Sequence, residues 1–225
     1  MPFLRHKDWD IHPLIAGYRW SHTFLFHSQS LFFCFMIKDL ILKNRSYRRF
    51  YQNEEITEEQ LRKWLELARL SASGRNAQPL KYILSNTSEK NEKIFQTLAW
   101  AGFLKDWPGP EEGERPSAYL IQVLDKDIST QYYCDDGIAA QSILLGAVEE
   151  GYGGCILRSI NKPLLTKALQ IPEQFEIINV IALGKPKEKV VIDEIQNGDF
   201  KYWRDENGVH HVPKRDVNEL VVKDC

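Results

Sequence analysis

The stretch Asp136-Gly137-Ile138-Ala139-Ala140-Gln141-Ser142-Ile143-Leu144-Leu145-Gly146-Ala147-Val148, closed by Gly151-Tyr152-Gly153-Gly154, decides how the rest of the chain is read. Its apolar residues run almost all the way round a helix. A helix with so little wet surface belongs in a core or at an interface. The glycines end it. On either side lie two runs with the look of buried strands, Ala118 to Leu124 and Ile177 to Leu183, the second closed by Gly184.

Upstream, Thr57 opens a helix with acids in its first turn and Gln60 three residues on, the pattern of a capping box. Leu61, Trp64, Leu65 and Ala68 then form one apolar stripe at helical spacing. A short helix is expected over 37–44, a strand at Lys81 to Leu84, and a helix from Ser88 to about Trp100. Residues 101–116, rich in Gly, Pro and Glu, read as a loop and a candidate lid. Asn161 caps another helix with Pro163 in its first turn. The segment 198–208 reads as polar and irregular, and His210 to Arg215 leads into a last short strand or helix. Helices and strands intermix without strict βαβ alternation, so the fold class expected is α+β, one sheet with helices packed against it.

The chain has 225 residues, 43% hydrophobic and 27% charged, with a formal net charge of -2. That length holds one good-sized core or, as the lesser alternative, two small ones. The charge gives no reason to expect a nucleic-acid or membrane partner, so any anion site must be a local cluster of cations. Cys34, Cys134, Cys155 and Cys225 are scattered with no C-x-x-C pair, which suggests neither a disulfide framework nor a zinc site and makes a cytoplasmic setting the default. Residues 1–35 carry four of the six histidines without a clear period. They read as an N-terminal extension outside a domain that begins at Met36; the other reading is an arm packed on the surface through Phe32, Phe33 and Phe35. The apolar run Leu31 to Ile37 is too short to span a membrane and lacks a cleavage site after it.

Three clusters carry candidate chemistry. Arg45-Ser46-x-Arg48 places two guanidinium groups and a hydroxyl within one turn, a donor set that matches phosphate. By itself, such a run is more commonly a solvated surface. Ser71-x-Ser73-x-x-Asn76-x-Gln78-Pro79 offers donors and acceptors suited to the edge of a planar heterocycle, or else is an ordinary polar loop. Lys214-Arg215 adds two cations near the C-terminus. Other candidates are weaker. Gly151-x-Gly153-Gly154 follows a helix, the wrong order for a dinucleotide fingerprint. His210-His211 lack spaced carboxylates or cysteines and read as surface residues, so no metal site is expected. Cys155 reads as a small buried hydrophobe. Trp100 and Trp107 could stack on a substrate or pack in the core.

Taken in order, these elements resemble the nitroreductase family of FMN enzymes from about Met36 to the end. Arg45, Ser46 and Arg48 resemble its R-x-S-x-R/K element. Ser73, Asn76, Gln78 and Pro79 resemble its P-S-x-x-N-x-Q-P-W loop. Asp136-Gly137 with Gln141 resembles its central helix, Gly153-Gly154-Cys155-Ile156-Leu157 the backbone segment under the flavin, and Leu183-Gly184-Lys185-Pro186 a strand ending in Leu-Gly-x-Pro. Departures are Asn44, where many members carry another arginine, Leu80 in place of an aromatic, and a short 100–116 segment.

The resemblance implies a central mixed or antiparallel sheet flanked by helices and a homodimer with FMN at the subunit interface. Arg45, Arg48, Lys214 and Arg215 would neutralise the phosphate. Ser46, Ser73, Asn76 and Gln78 would hold the ribityl chain and ring edge, and backbone N–H groups near Ile156 and Leu157 would face the ring. NADH or NADPH would reduce the flavin, and a small-molecule acceptor, nitroaromatic, quinone or similar, would reoxidise it by a ping-pong scheme without a catalytic side chain. The alternatives are a specialised flavin dehalogenase or dehydrogenase, and a non-enzymatic FMN-binding or storage protein.

Overall fold

Thr57 sets the first long helix as its sequence promises. Its hydroxyl accepts from the Gln60 N–H, and the Gln60 side chain accepts from the Thr57 N–H, in the computed structural model, which describes residues 36–223. The extension expected over residues 1–35 lies outside the described residues.

The elements run α1 (Ile37–Lys43), β1 (Phe50–Tyr51), α2 (Glu58–Leu70), β2 (Leu80–Ser85), α3 (Ser88–Phe95), β3 (Ala118–Asp125), α4 (Asp135–Glu149), β4 (Gly153–Leu157), α5 (Lys162–Leu169), β5 (Phe175–Pro186), β6 (Val190–Glu194), β7 (Trp203–Arg204) and β8 (His210–Lys214). Asn161 caps α5 by accepting from the Leu164 N–H, with Pro163 in the first turn. The helix expected to reach Trp100 stops at Phe95, where Thr97 turns its hydroxyl back to the Ile94 carbonyl.

A five-stranded antiparallel sheet has the order β1-β5-β3-β2, with β4 also paired to β5. Side chains alternate across β3. Ala118 and Leu120 face Leu61 and Trp64 of α2 and Ala140, Ile143 and Ala147 of α4. Tyr119, Ile121 and Val123 face Ile94 of α3, Leu165 of α5 and Trp100. Both faces of the sheet are therefore covered, which is why β3 and β5 read as near-continuous apolar runs. The fold is α+β with an antiparallel sheet between two helical layers, as expected.

Gly154 allows α4 to sit down on β4. A Cβ there would collide with the Ala182 carbonyl oxygen and come within 3.1 Å of Leu144. The segment 101–116 is anchored instead of free, unlike a lid. Within it Glu114 binds Arg49 and, at 2.8 Å, Lys187, while Trp107 lies under the Arg204 guanidinium at 4.7 Å. Trp100 packs against Phe95 and over Gly109.

Sequence reasoning missed the small sheet β6-β8-β7, in which β8 runs parallel to β6 and antiparallel to β7. His211 pins it. The imidazole stacks on Trp203 with ring centroids 3.9 Å apart and meets Asp193 at 2.7 Å.

Candidate functional site

Alternation along β8 puts His210, Val212 and Lys214 on one side and His211 on the other. The first three line a cavity of ≈ 350 Å³ together with Asn44, Arg45, Ser46 and Arg48 from the turn after α1, Gln141 and Leu144 of α4, Gly154, Cys155 and Ile156 of β4, and Tyr202. Residues 45–48 reach this place because Ser46 bridges to Gly154 and the Tyr47 N–H donates to the Gly154 carbonyl at 3.1 Å.

The electrostatics of this cavity are one-sided. Arg45, Arg48 and Lys214 line it, no carboxylate does, and none of the three has a carboxylate partner among the described residues. The neighbouring cations are neutralised: Arg49 by Glu114, Arg204 by the buried Glu188 at 3.0 Å. Glu188 also accepts from the backbone N–H groups of Arg48 and Arg49, fixing the turn that presents the cavity-facing guanidinium.

Among the described residues Arg48's side chain is held by neutral groups alone. Its Nη1 donates to the Ser46 carbonyl at 3.1 Å and lies 3.2 Å from His210 Nε2, with the guanidinium over the Tyr202 ring at 4.9 Å. Arginine has no acceptor, so Nε2 must accept and the His210 proton sits on Nδ1, which is buried without a partner among the described residues. Burial, reinforced by Arg48, pushes the His210 imidazolium down to about 4. His210 is fully buried, where the sequence reading put both histidines on the surface. Cys155 is buried too, and burial pushes its thiol up to about 12, so it is a packing residue as expected.

Of the candidates from sequence, Arg45, Ser46, Arg48, Ile156 and Lys214 come together here. Arg215 does not: it pairs with Glu219 at 3.0 Å outside the cavity. Because Gly154 directs its carbonyl to Tyr47, away from β5, the antiparallel alternation also turns the Ile156 N–H to the free edge. The Leu157 N–H is turned toward Val180 on β5 and faces away from the cavity.

Ser73, Asn76 and Gln78 lie elsewhere. Ser73 and Gln78 line a second cavity, of ≈ 380 Å³, with Asp135 and Ala139 of α4. At 100° per residue, positions 135, 139 and 142 fall on the side of α4 opposite Gln141 and Leu144. Ser142 confirms that side through its 2.7 Å hydrogen bond with Ser71. The loop and the cationic cavity of one chain therefore flank the same helix on opposite sides. Between them α4 leaves a strip with Ile138 and Gln141 exposed and Leu145 half-buried.

Asn44, Gln141, Tyr202 and His210 complete the cavity and were not proposed from sequence; the 3.3 Å hydrogen bond from Asn44 to Gln141 joins elements 97 residues apart. Among the described residues no group of three or more His, Cys, Asp or Glu could hold a metal, and no helix is long and apolar enough to cross a membrane.

A sequence model described as the nitroreductase family matches residues 41–126 and 133–185. The chain is 28% identical over 158 residues to a candidate NADH dehydrogenase/NAD(P)H nitroreductase of Archaeoglobus fulgidus, covering 67% of this chain and 85% of that protein. A nitroreductase family protein of Streptococcus pneumoniae superposes with a TM-score of 0.59 at 16% identity, over 84% of this chain and all of the other. A candidate nitroreductase of Exiguobacterium sibiricum, solved in complex with FMN, superposes with a TM-score of 0.56 at 17% identity, over 68% of this chain and 89% of its own. With more than half of its residues matched and the expected fold around its apolar helix, the chain belongs to the nitroreductase family.

Proposed function

We propose that the protein is an FMN-dependent oxidoreductase that takes reducing equivalents from NADH or NADPH and passes them to a nitroaromatic, quinone or similar small acceptor. The observation that carries this reading is the convergence of Arg45, Arg48 and Lys214, all without carboxylate partners among the described residues, on a cavity that no described carboxylate lines. That donor set fits a phosphate monoester: two planar guanidinium forks, an ammonium group and the Ser46 hydroxyl.

FMN, when bound, would supply the two-electron chemistry between the nicotinamide and the acceptor. The protein positions and stabilises. Arg45, Arg48 and Lys214 would neutralise the phosphate, the Ile156 N–H at the free edge of β4 would donate toward the ring, and Ser73, Asn76 and Gln78 would hold the ring edge. We assign no catalytic side chain.

Since the loop at 73–78 and the cavity lie on opposite sides of α4, we propose a homodimer in which one copy's loop meets the other's cavity. The strip of α4 between them supports this, because a face that leaves Ile138 exposed and Leu145 only half-buried is suited to a partner. We assign the flavin domain to residues 36–225, with residues 1–35 as an extension outside it, and propose a cytoplasmic setting from the scattered cysteines.

The test is a visible spectrum of the purified protein, before and after added FMN, followed by anaerobic NADH or NADPH and a screen of nitroaromatics, quinones and halogenated phenols. A yellow protein bleached by nicotinamide and recoloured by a nitro compound or quinone is expected. Colourless protein that takes up no FMN would sink the reading; a yellow protein that nicotinamide leaves unbleached would make it a flavin-binding protein without this activity.

A further inference from the structure

The loop between α2 and β2 holds three non-glycine residues in the left-handed region, Arg75 at φ 54°, Asn76 at φ 55° and Gln78 at φ 51°. Each such residue is strained, and strain of this kind persists only where the surroundings hold it. One side chain supplies much of that hold. Asp135, in the first turn of α4 and 3% exposed, accepts from the Ser73 hydroxyl at 2.6 Å and from the Gly74 N–H at 2.8 Å, one bond to each carboxylate oxygen. The Ser73 oxygen in turn accepts from the Gln78 N–H at 2.9 Å. The Gln78 amide then donates to the Asn76 carbonyl at 3.1 Å and to its side-chain oxygen at 3.2 Å. A chain of hydrogen bonds thus runs from the rigid end of α4 through Ser73 to Gln78 and Asn76, the other two residues assigned to the ring edge.

We propose that Asp135 is a positioning residue for flavin binding: through Ser73 and Gly74 it holds the 73–78 loop in the one conformation that presents Asn76 and Gln78 to the flavin ring. This rests on the reading that the loop meets the ring, and it revises the part played by Ser73, whose hydroxyl already donates to Asp135 and accepts from Gln78. The carboxylate suits the place, since the positive end of α4 favours it and it accepts from both the Ser73 hydroxyl and the Gly74 N–H. Asparagine is nearly the same shape but can accept through only one of the two atoms.

The test uses the full chain with Asp135→Asn and the milder pair Ser73→Ala and Ser73→Thr. Readouts are hydrogen exchange at residues 73–78 in the flavin-free protein, dissociation constants for FMN and for riboflavin, and the visible band positions of the bound flavin. We expect faster exchange confined to the loop, a weakening of about tenfold or more in Asp135→Asn, and the same factor for FMN and riboflavin, because the ring and not the phosphate is mishandled. The bands should move toward those of free flavin, and Ser73→Thr, which keeps the hydroxyl, should retain the binding that Ser73→Ala loses. Unchanged exchange in Asp135→Asn and Ser73→Ala overturns the role given to Asp135. Faster exchange with unaltered flavin affinity and spectrum overturns the placement of the loop at the ring. Loss of FMN affinity with riboflavin affinity retained overturns the proposal by moving Asp135 to the phosphate end.

Discussion

Replacing Arg48 by Gln removes one charge from the cationic cavity while leaving its backbone bond to Glu188 in place. Nη1 is occupied by the Ser46 carbonyl and His210, so Nε and Nη2 are the donors left for an anion. A charge-assisted hydrogen bond contributes about 1.5–3 kcal/mol, so losing one weakens FMN by roughly 10- to 150-fold. Arg48 is only half-buried, which favours the lower half of that range. Lys214→Met should act similarly, and both effects should shrink as ionic strength rises. Arg215→Met is the matched control: it also removes a cation near the C-terminus, but Arg215 pairs with Glu219 away from the cavity. Loss of that exposed pair should change affinity by no more than about twofold. Quenching of FMN fluorescence by flavin-free protein gives the dissociation constants. Wild-type affinity in Arg48→Gln, or an equal loss in Arg215→Met, would refute the assignment of the phosphate.

Gly154→Ala should destabilise the fold by about 1–3 kcal/mol, because the new methyl meets the Ala182 carbonyl and Leu144. Gly137→Ala on exposed α4 surface meets nothing within 4 Å among the described residues and should be neutral or stabilising in the same urea titration. Glu114, held near 2 by its hydrogen bond to Arg49 and by Lys187, has a folded-state value below the ordinary 4.5. Its contribution is therefore fully present above about pH 4.5 and falls away as pH drops toward 2. The loss is no more than about 3 kcal/mol, and Glu114→Gln should flatten that part of the stability profile. Of the two cysteines described, exposed Cys134 should react with a thiol reagent in the native protein and buried Cys155 only after unfolding, as read by mass spectrometry.

Local signals were legible in the sequence, and long-range ones were legible only where they left a local trace. The capping box at Thr57 and the Asn161 cap are set by residues three positions apart, so they could be read directly. β3 and β5 announced themselves because helices cover both their faces. The small sheet did not. β7 has two residues, and β8 is polar on one side because His211 faces Asp193 and on the other because Lys214 faces the cavity. His210 was misplaced on the surface for a related reason: nothing local tells that Tyr202 and Arg48 enclose it. The cationic cluster was visible as residue types, yet Arg48 and Arg49 are alike in sequence. Only the position of Glu114, 65 residues away, decides which of the two is left unpaired. Asp135 carried no signal at all, since a carboxylate at a helix start ordinarily needs no explanation beyond the helix itself.

The most direct test of the phosphate assignment is a pair of calorimetric titrations of flavin-free wild-type protein, one with FMN and one with riboflavin, which differ only in the phosphate. Two or more charge-assisted bonds in the cavity of Arg45, Arg48 and Lys214 should make FMN bind tighter by about a hundredfold or more, with the gap narrowing in salt. Equal affinities for the two flavins would contradict the account.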